Sequence, residues 1–280
     1  MVTTTAARTA FFPSALRIFD LSLGQMLWSR RSIFLALVAG APVLLAGVIR
    51  FADVVEPAAL PEINGARLGG PALFGLMIWG LYIRFIVPVL GMFYGTSLIA
   101  DEVDDKTITY LFVRPIPRGS VIFGKYLAYV VCTALLILPS VVVVYFLVVP
   151  IGGGSVGAEF PALAADLALL ALGIAAYGAL FGWVGARVKR PLVIGLVFVF
   201  GWEPGVLLFP GYLKRATVAY YLQGLVPHAM PDDSAVSMLM QVFQEIPTAT
   251  LSVGALAAIT LGAIWLAARA VEQREYVLEQ

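Results

Sequence analysis

The chain has 280 residues, of which 61% are hydrophobic and 12% are charged, and its formal net charge is +1. An ordinary soluble domain is about 45–50% apolar and about 25% charged, so this composition predicts an integral membrane protein. It also argues against a nucleic-acid partner, which requires clustered Lys and Arg that face water. With one cysteine, Cys132, and one histidine, His228, no catalytic residue and no metal site are predicted. His228 with Met230 is the soft-metal alternative.

The first predicted element is an amphipathic helix over residues 14–31. Arg17, Asp20 and Gln25 stand between apolar residues that recur at spacings of three and four, namely Leu16, Phe19, Leu23, Met26 and Leu27. A helix of this pattern lies in the plane of a membrane interface. We expect it on the cytoplasmic side, leading into the first span.

Six apolar runs approach or exceed the roughly 20 residues that a bilayer core about 30 Å thick requires. The sequence therefore predicts an all-α membrane protein with six transmembrane helices, in which residues 1–280 form one domain. The runs are Ile33–Ile49, Ala72–Ala100, Val121–Val149, Leu163–Ala186, Leu192–Phe209 and Thr248–Ala268. Pro88 and Pro139 predict kinks or tilt in the second and third.

The distribution of basic residues predicts the orientation of the spans, because cytoplasmic loops carry an excess of Lys and Arg. Placing the N-terminus inside leaves four basic residues on the outer side: Arg50, Arg67, Lys214 and Arg215. The cytoplasmic segments then hold thirteen basic residues: Arg8, Arg17, Arg30, Arg31, Lys106, Arg114, Arg118, Lys125, Arg187, Lys189, Arg190, Arg269 and Arg274. Both termini are therefore predicted to be cytoplasmic.

A short helix is predicted beneath the membrane over residues 101–113, between the second and third spans. It begins with the carboxylates of Asp101 and Glu102, which suit a helix N-terminus, and Pro115 and Pro117 stop it. Its apolar residues are Ile108, Leu111 and Phe112. A second short helix, opening at Asp232, is predicted in the outer loop 210–247, where it caps the outer mouth or dips into the interface.

Two strings resemble nucleotide-binding motifs. GSVIFGKY (119–126) differs by one residue from a phosphate-binding P-loop, but Tyr126 stands where Ser or Thr must hold Mg²⁺, and the string opens a membrane helix. LSLGQ (21–25) differs by one residue from the LSGGQ signature of ABC ATPases, but Leu23 replaces a glycine that must approach a phosphate. The chain is therefore predicted not to hydrolyse ATP by itself.

Arg84 and Glu203 are charges predicted to lie deep in the spans, where burial costs at least about 2.5–3.5 kcal/mol. At about 1.5 Å per residue from the cytoplasmic ends, they lie roughly 22 Å and 18 Å deep, which predicts an intramembrane polar pair. The pair is either structural or a polar point in a translocation path. Alternatively, Glu203 lies in a wetter outer vestibule, because Pro204 and Gly205 are expected to break its helix. Asp166 is expected at the outer interface.

Two pairs of glycines have the four-residue spacing that lets membrane helices approach closely. They are Gly91 with Gly95, and Gly178 with Gly182. We interpret them as packing positions within the chain, with a dimer face as the weaker interpretation.

The run LIADEVDDKTITYLFVRPIPRGSVIFGKYLA (98–128) resembles the cytoplasmic loop of bacterial ABC-2 type permeases, the membrane subunits of ABC exporters. The matching positions are Asp101, Glu102, Thr107, Leu111, Pro115, Arg118, Gly124 and Lys125. Where this chain has Lys106, the family usually has glycine. The likeness extends loosely over the whole chain through the six spans, the N-terminal helix and TVAYYLQGLVP (217–227).

The resemblance implies a permease of the bacterial inner membrane that exports a substrate by alternating access. A separate ABC ATPase subunit would bind ATP and Mg²⁺, and this chain would bind no cofactor. The other implied partners are a second permease subunit, identical or paralogous, membrane lipids and, as a further candidate, a periplasmic accessory protein. The helix 101–113 would couple to the ATPase through Asp101, Glu102, Asp105, Thr107, Ile108, Leu111, Phe112, Arg114 and Arg118.

Three alternatives to an exporter would each have their own features. A secondary transporter should show several intramembrane carboxylates or interrupted helices in repeat-related halves, and the sequence places only Glu203 at depth. A membrane-embedded enzyme would need convergent polar side chains near one leaflet. A non-transporting anchor or mechanotransmission subunit for an ATPase, in an assembly or motility complex, stays open.

Overall fold

The computed structural model describes most of the chain as helix. The described residues are 11–28, 30–55, 62–63, 66–67, 69–104, 117–207, 212–227 and 247–273. The predicted helix that opens at Asp232, the pair of His228 and Met230, and most of the predicted coupling segment lie outside them.

Two helices of the bundle contain π-helical turns. In chain order the helical elements are α1 (Phe11–Leu27), α2 (Arg30–Val55), α3 (Gly70–Met77), the π-helix π1 (Ile78–Ile86), α4 (Val87–Asp104), α5 (Arg118–Val148), α6 (Phe160–Arg187), α7 (Pro191–Leu196), the π-helix π2 (Val197–Trp202), α8 (Glu203–Leu207), α9 (Val218–Gln223) and α10 (Ala249–Gln273). Two 3-10 turns lie in the connections, Ile151–Gly153 and Tyr212–Ala216. Strands β1 (Glu62–Ile63) and β2 (Ala66–Arg67) form a minimal antiparallel ladder.

Five of the six predicted spans are confirmed as helices long and apolar enough to cross a bilayer. They are Ile33–Val55, Gly70–Ile99, Arg118–Val148, Phe160–Arg187 and Ala249–Gln273. The remaining one, predicted over Leu192–Phe209, is a shorter apolar helix, Pro191–Val206, in the described part of the chain. That length is below the roughly 20 residues of a usual span. The all-α membrane class is therefore confirmed, and the count of six spans stays a prediction.

Each π-helix ends two residues before a proline. The amide of Val87, which precedes Pro88, donates to the carbonyl of Tyr82. The amide of Glu203, which precedes Pro204, likewise donates to a carbonyl five residues back. Proline removes an amide donor and crowds the carbonyl four residues earlier, and a widened turn relieves that crowding. The predicted helix break after Glu203 is therefore wrong, since the helix continues through α8.

Glycines bring α4 and α6 into backbone contact. A Cβ atom on Gly91 would lie 2.6 Å from the Cβ of Tyr177, and one on Gly185 would lie 2.4 Å from the carbonyl oxygen of Thr96. All four glycines of the predicted pairs meet neighbours within the chain: Tyr177 for Gly91, Phe181 for Gly95, Tyr129 for Gly178 and Leu98 for Gly182. Because these faces are filled from within, they serve as packing positions and offer no face to a second copy.

Helix α1 packs against the first turns of α5 through small side chains. Its buried residues are Ser14, Ala15, Ile18 and Ser22. The predicted apolar stripe is only partly exposed: Leu16 is 57% and Leu27 40% exposed, whereas Leu23 and Met26 pack against the core. An exposed apolar face beside a polar one is the arrangement expected of a helix at the membrane interface.

Replacing Gly124 by leucine is expected to detach α1 from α5. A Cβ on Gly124 would lie 2.5 Å from the Ala15 carbonyl oxygen and 3.0 Å from the Ile18 Cβ, so the larger side chain has no room. Hydrogen exchange followed by mass spectrometry should show faster exchange in α1 with little change in α6. Gly119→Ala is the matched control, because its added Cβ would make only ordinary contact, 3.6 Å from the Phe11 ring. Equal protection of α1 in both variants would contradict the expectation.

Candidate functional site

Glu203 is a buried carboxylate at the junction of three helical elements. It is 3% exposed. The hydroxyl of Tyr177, on α6, donates to it and lies 2.6 Å from both of its oxygens. The backbone amides of Val218 and Ala219, at the start of α9, also donate to it. Three neutral donors from two other elements therefore surround this carboxylate.

Arg84, on π1, faces the same centre without touching the carboxylate. Its guanidinium lies over the ring of Trp79, 5.1 Å from the ring centroid, which is a cation–π arrangement. It also attracts the Glu203 carboxylate electrostatically. Both residues are described, and they are not in ion-pair contact; the donors to the carboxylate are the Tyr177 hydroxyl and the α9 amides. The predicted pair is thus brought together as electrostatic neighbours.

This polar centre lies near the middle of the bundle. Leu222 on α9 reaches α6 beside Gly173, where a Cβ would lie 3.2 Å from a Leu222 methyl carbon. Gly173 is midway along α6, about 20 Å from either end of that helix at about 1.5 Å per residue. Most of α9 is buried there, including Val218, Ala219, Tyr220 and Leu222. The alternative that Glu203 lies in an open vestibule is therefore wrong.

Aromatic rings pack between the two π-helices and beside Tyr177. Phe85 of π1 and Phe200 of π2 have ring centroids 6.2 Å apart. Phe181 stacks on Tyr177 with centroids 6.2 Å apart and meets Phe198 edge-on at 5.8 Å. Phe181 is buried against Tyr177, whereas Phe85 and Phe200 are 46% and 52% exposed. Around the buried hydrogen bonds a low local dielectric strengthens the interactions of charged and polar groups.

The predicted ATPase-coupling residues are only partly described. Asp101 and Glu102 lie in the last turn of α4, which runs unbroken to Asp104, whereas the sequence predicted a separate helix starting at Asp101. Arg118 is the first residue of α5, and its guanidinium donates to the carbonyl of Glu272 at 3.3 Å. Outside the described residues lie Asp105, Thr107, Ile108, Leu111, Phe112 and Arg114.

The P-loop-like string has a packing role in the structure. Gly124 accommodates the backbone of α1, and the Lys125 ammonium donates to the carbonyl of Leu98 on α4 at 3.2 Å. This carbonyl belongs to the helix that leads to the predicted coupling segment. The string therefore joins α1, α4 and α5 at one end of the bundle.

Sequence reasoning missed Tyr177 and misjudged the surroundings of Asp166. Tyr177 stands alone as a phenol in a run of Ala, Gly and Leu, and this isolation was the available signal for a polar role. Asp166, expected at the outer interface, is fully buried within the bundle. Among the described residues, no cluster of His, Cys, Asp and Glu could hold a metal ion.

Five helices of spanning length and apolar composition, packed around a buried carboxylate, define a multi-pass α-helical membrane protein. The profile of the family described as ABC-2 family transporter protein matches residues 4–227. This match covers more than half of the chain, so the protein belongs to the ABC-2 transporter family and is the permease type of ABC transporter subunit. A search of curated proteins gave no match.

Proposed function

We propose that this permease couples ATP hydrolysis by a separate ABC ATPase subunit to substrate export by alternating access. The observation that supports it most is the course of α4. This helix runs from Asp104, within the predicted coupling segment 101–113, without interruption to Val87, where it meets π1 and Arg84. A push on the coupling segment would therefore act directly on the polar centre.

The contact between α4 and α6 supports the transmission of such a movement. Gly91 and Gly185 place the two helices in near backbone contact at two points of α4, Gly91 itself and Thr96. Closely packed interiors resist compression and transmit strain, so the pair is expected to move as one body. Because Tyr177 belongs to α6, this movement reaches the hydrogen bonds of Glu203.

The working assembly in this proposal has two permease subunits, identical or paralogous, above two ATPase subunits. ATP and Mg²⁺ are bound and hydrolysed by the partner, and this chain is not itself an enzyme. The chain spans the bacterial inner membrane six times with both termini in the cytoplasm, in keeping with its basic residues. A periplasmic accessory protein would meet the opposite side.

Substituting Leu111 and Phe112 together by aspartate is expected to release the ATPase subunit. The two apolar side chains belong to the predicted contact, and burying two charges in an apolar interface costs several kcal/mol, about 2 or more for each. Co-purification of a tagged permease with its ATPase measures the result. The matched control is Leu213→Asp, an exposed apolar position on a turn of the predicted outer loop. An unchanged yield of ATPase with the double variant would refute the coupling role.

Transport in reconstituted vesicles separates the exporter from a non-transporting anchor. Export requires substrate movement that depends on both ATP and the ATPase subunit. Substrate movement that survives removal of the ATPase would overturn the proposal. ATP hydrolysis without any movement of cargo would favour the mechanotransmission alternative.

A further inference from the structure

The apolar helix formed by α7, π2 and α8 touches the rest of the bundle along a single stripe. Its buried residues recur every three or four positions, as Pro191, Gly195, Val199, Glu203 and Val206. The other faces are exposed, with large side chains such as Leu192, Val193, Val197 and Phe200. Glu203 is the member of this stripe whose side chain makes hydrogen bonds. The peripheral helix is therefore attached to the centre chiefly by apolar contact and by this one polar junction.

Helix α9 depends on its surroundings for its position. It has six residues, and isolated helices shorter than about 12 residues are marginal in water. The first amides of any helix lack partners within the helix, and an unsatisfied amide in the membrane interior costs several kcal/mol. The Glu203 carboxylate satisfies the amides of Val218 and Ala219. Away from the centre, water would satisfy them instead, so α9 has two environments that suit its backbone.

We propose that the Glu203 carboxylate is a latch that holds α9 in the centre of the bundle. The transport cycle releases α9 by separating this carboxylate from the Tyr177 hydroxyl and from the amides of Val218 and Ala219. Glu203 is a positioning residue here, because it acts through α9. The inference rests on the proposed function, since the separating movement is that of the α4–α6 pair.

The attachment of α9 is tested on the full-length chain alone, in one detergent, by hydrogen exchange of peptides covering residues 217–223. Tyr177→Phe removes one hydroxyl, and Glu203→Gln keeps the shape while removing the charge. Each is expected to speed exchange of the first α9 amides about tenfold, with α6 unchanged, because hydrogen bonds to a charged group are lost or weakened. Tyr126→Phe is the matched control. The Tyr126 hydroxyl donates to the carbonyl of Ala175 at 2.9 Å, so it also bonds to α6, the helix of Tyr177, but not to α9.

A purely structural role for Glu203 predicts a different result, namely faster exchange in α6 and α9 together. That outcome would overturn the latch. Unchanged α9 exchange in both variants would overturn it as well. Two variants are used because Tyr177→Phe keeps the carboxylate and removes only the hydroxyl that orients it, whereas Glu203→Gln changes the accepting group itself. A folding failure of one variant therefore does not decide the test.

The release of α9 is tested in the complex with the ATPase. With ATP and vanadate, wild-type α9 is expected to exchange about tenfold faster than without nucleotide, whereas in Tyr177→Phe it should already exchange fast and change little. Protection of α9 in every nucleotide state of an ATP-hydrolysing complex would overturn the release. Failure of the ATPase to bind would count against the proposed function. That failure can be distinguished from failure of the latch, because the attachment of α9 is measured without the ATPase subunit.

Discussion

Replacing Gly178 by alanine is expected to cost the bundle about 3 kcal/mol of stability, the upper end for overpacking a filled interior. The added Cβ would lie 1.9 Å from the Tyr129 ring. That ring cannot swing aside, because Tyr129 is fully buried and its hydroxyl donates to the carbonyl of Ile174 at 3.1 Å. The thermal midpoint in a fixed detergent should fall by about 10 °C.

The control for this prediction is Gly262→Ala on α10, where an added Cβ meets nothing within 4 Å. It should be neutral or slightly stabilising, by less than about 1 kcal/mol. Combining Gly178→Ala with Tyr129→Leu removes the clash, so the double variant should be more stable than Gly178→Ala alone, although Tyr129→Leu by itself destabilises. If Gly178→Ala behaves like Gly262→Ala, the close contact between α5 and α6 is absent in the protein.

The long spans could be predicted because each contains an apolar run that only a membrane helix explains. The effect of a proline could not be predicted in the same way. Pro88 follows a π-helix, whereas Pro139 lies inside the continuous helix α5. Both residues lack an amide donor, and the packing of neighbouring helices decides how the freed carbonyl is accommodated. The local sequence does not contain that information.

The sequence predicted the two charged residues of the candidate site but not the hydrogen bonds that surround Glu203. Arg84 and Glu203 stand out because charges are rare in apolar runs. Tyr177 donates to a carboxylate on another helix, 26 residues away in the chain. Helix α9 is six residues long, too short for a hydrophobic period to show in the sequence. Charge alone therefore predicts a direct ion pair, whereas in the structure the donors to Glu203 are the Tyr177 hydroxyl and the α9 amides.

Substituting Arg84 by methionine is expected to destabilise the bundle by about 2 kcal/mol. This is less than the cost of removing one partner of a buried ion pair in direct contact, because the guanidinium and the carboxylate do not touch. The loss arises because the Glu203 carboxylate would lie at the centre of the bundle without the positive charge that now attracts it. Arg84→Lys keeps that charge and loses the flat stacking on Trp79, so it should cost about 1 kcal/mol. Thermal unfolding in a fixed detergent measures both variants.

The double variant Arg84→Met with Glu203→Gln distinguishes charge from packing. If the two charges stabilise each other, removing both leaves no uncompensated charge, so the double variant should be more stable than the sum of the two single changes predicts, by about 1 kcal/mol or more. Additive effects would show that Arg84 contributes through its contact with Trp79 and that the electrostatic coupling to Glu203 is negligible. The coupling between Arg84 and Glu203 should appear in global unfolding. The attachment of α9 is measured separately, by the exchange of its first amides in Tyr177→Phe, which keeps both charges. The charge balance of the centre and the attachment of α9 are therefore separately measurable properties of one carboxylate.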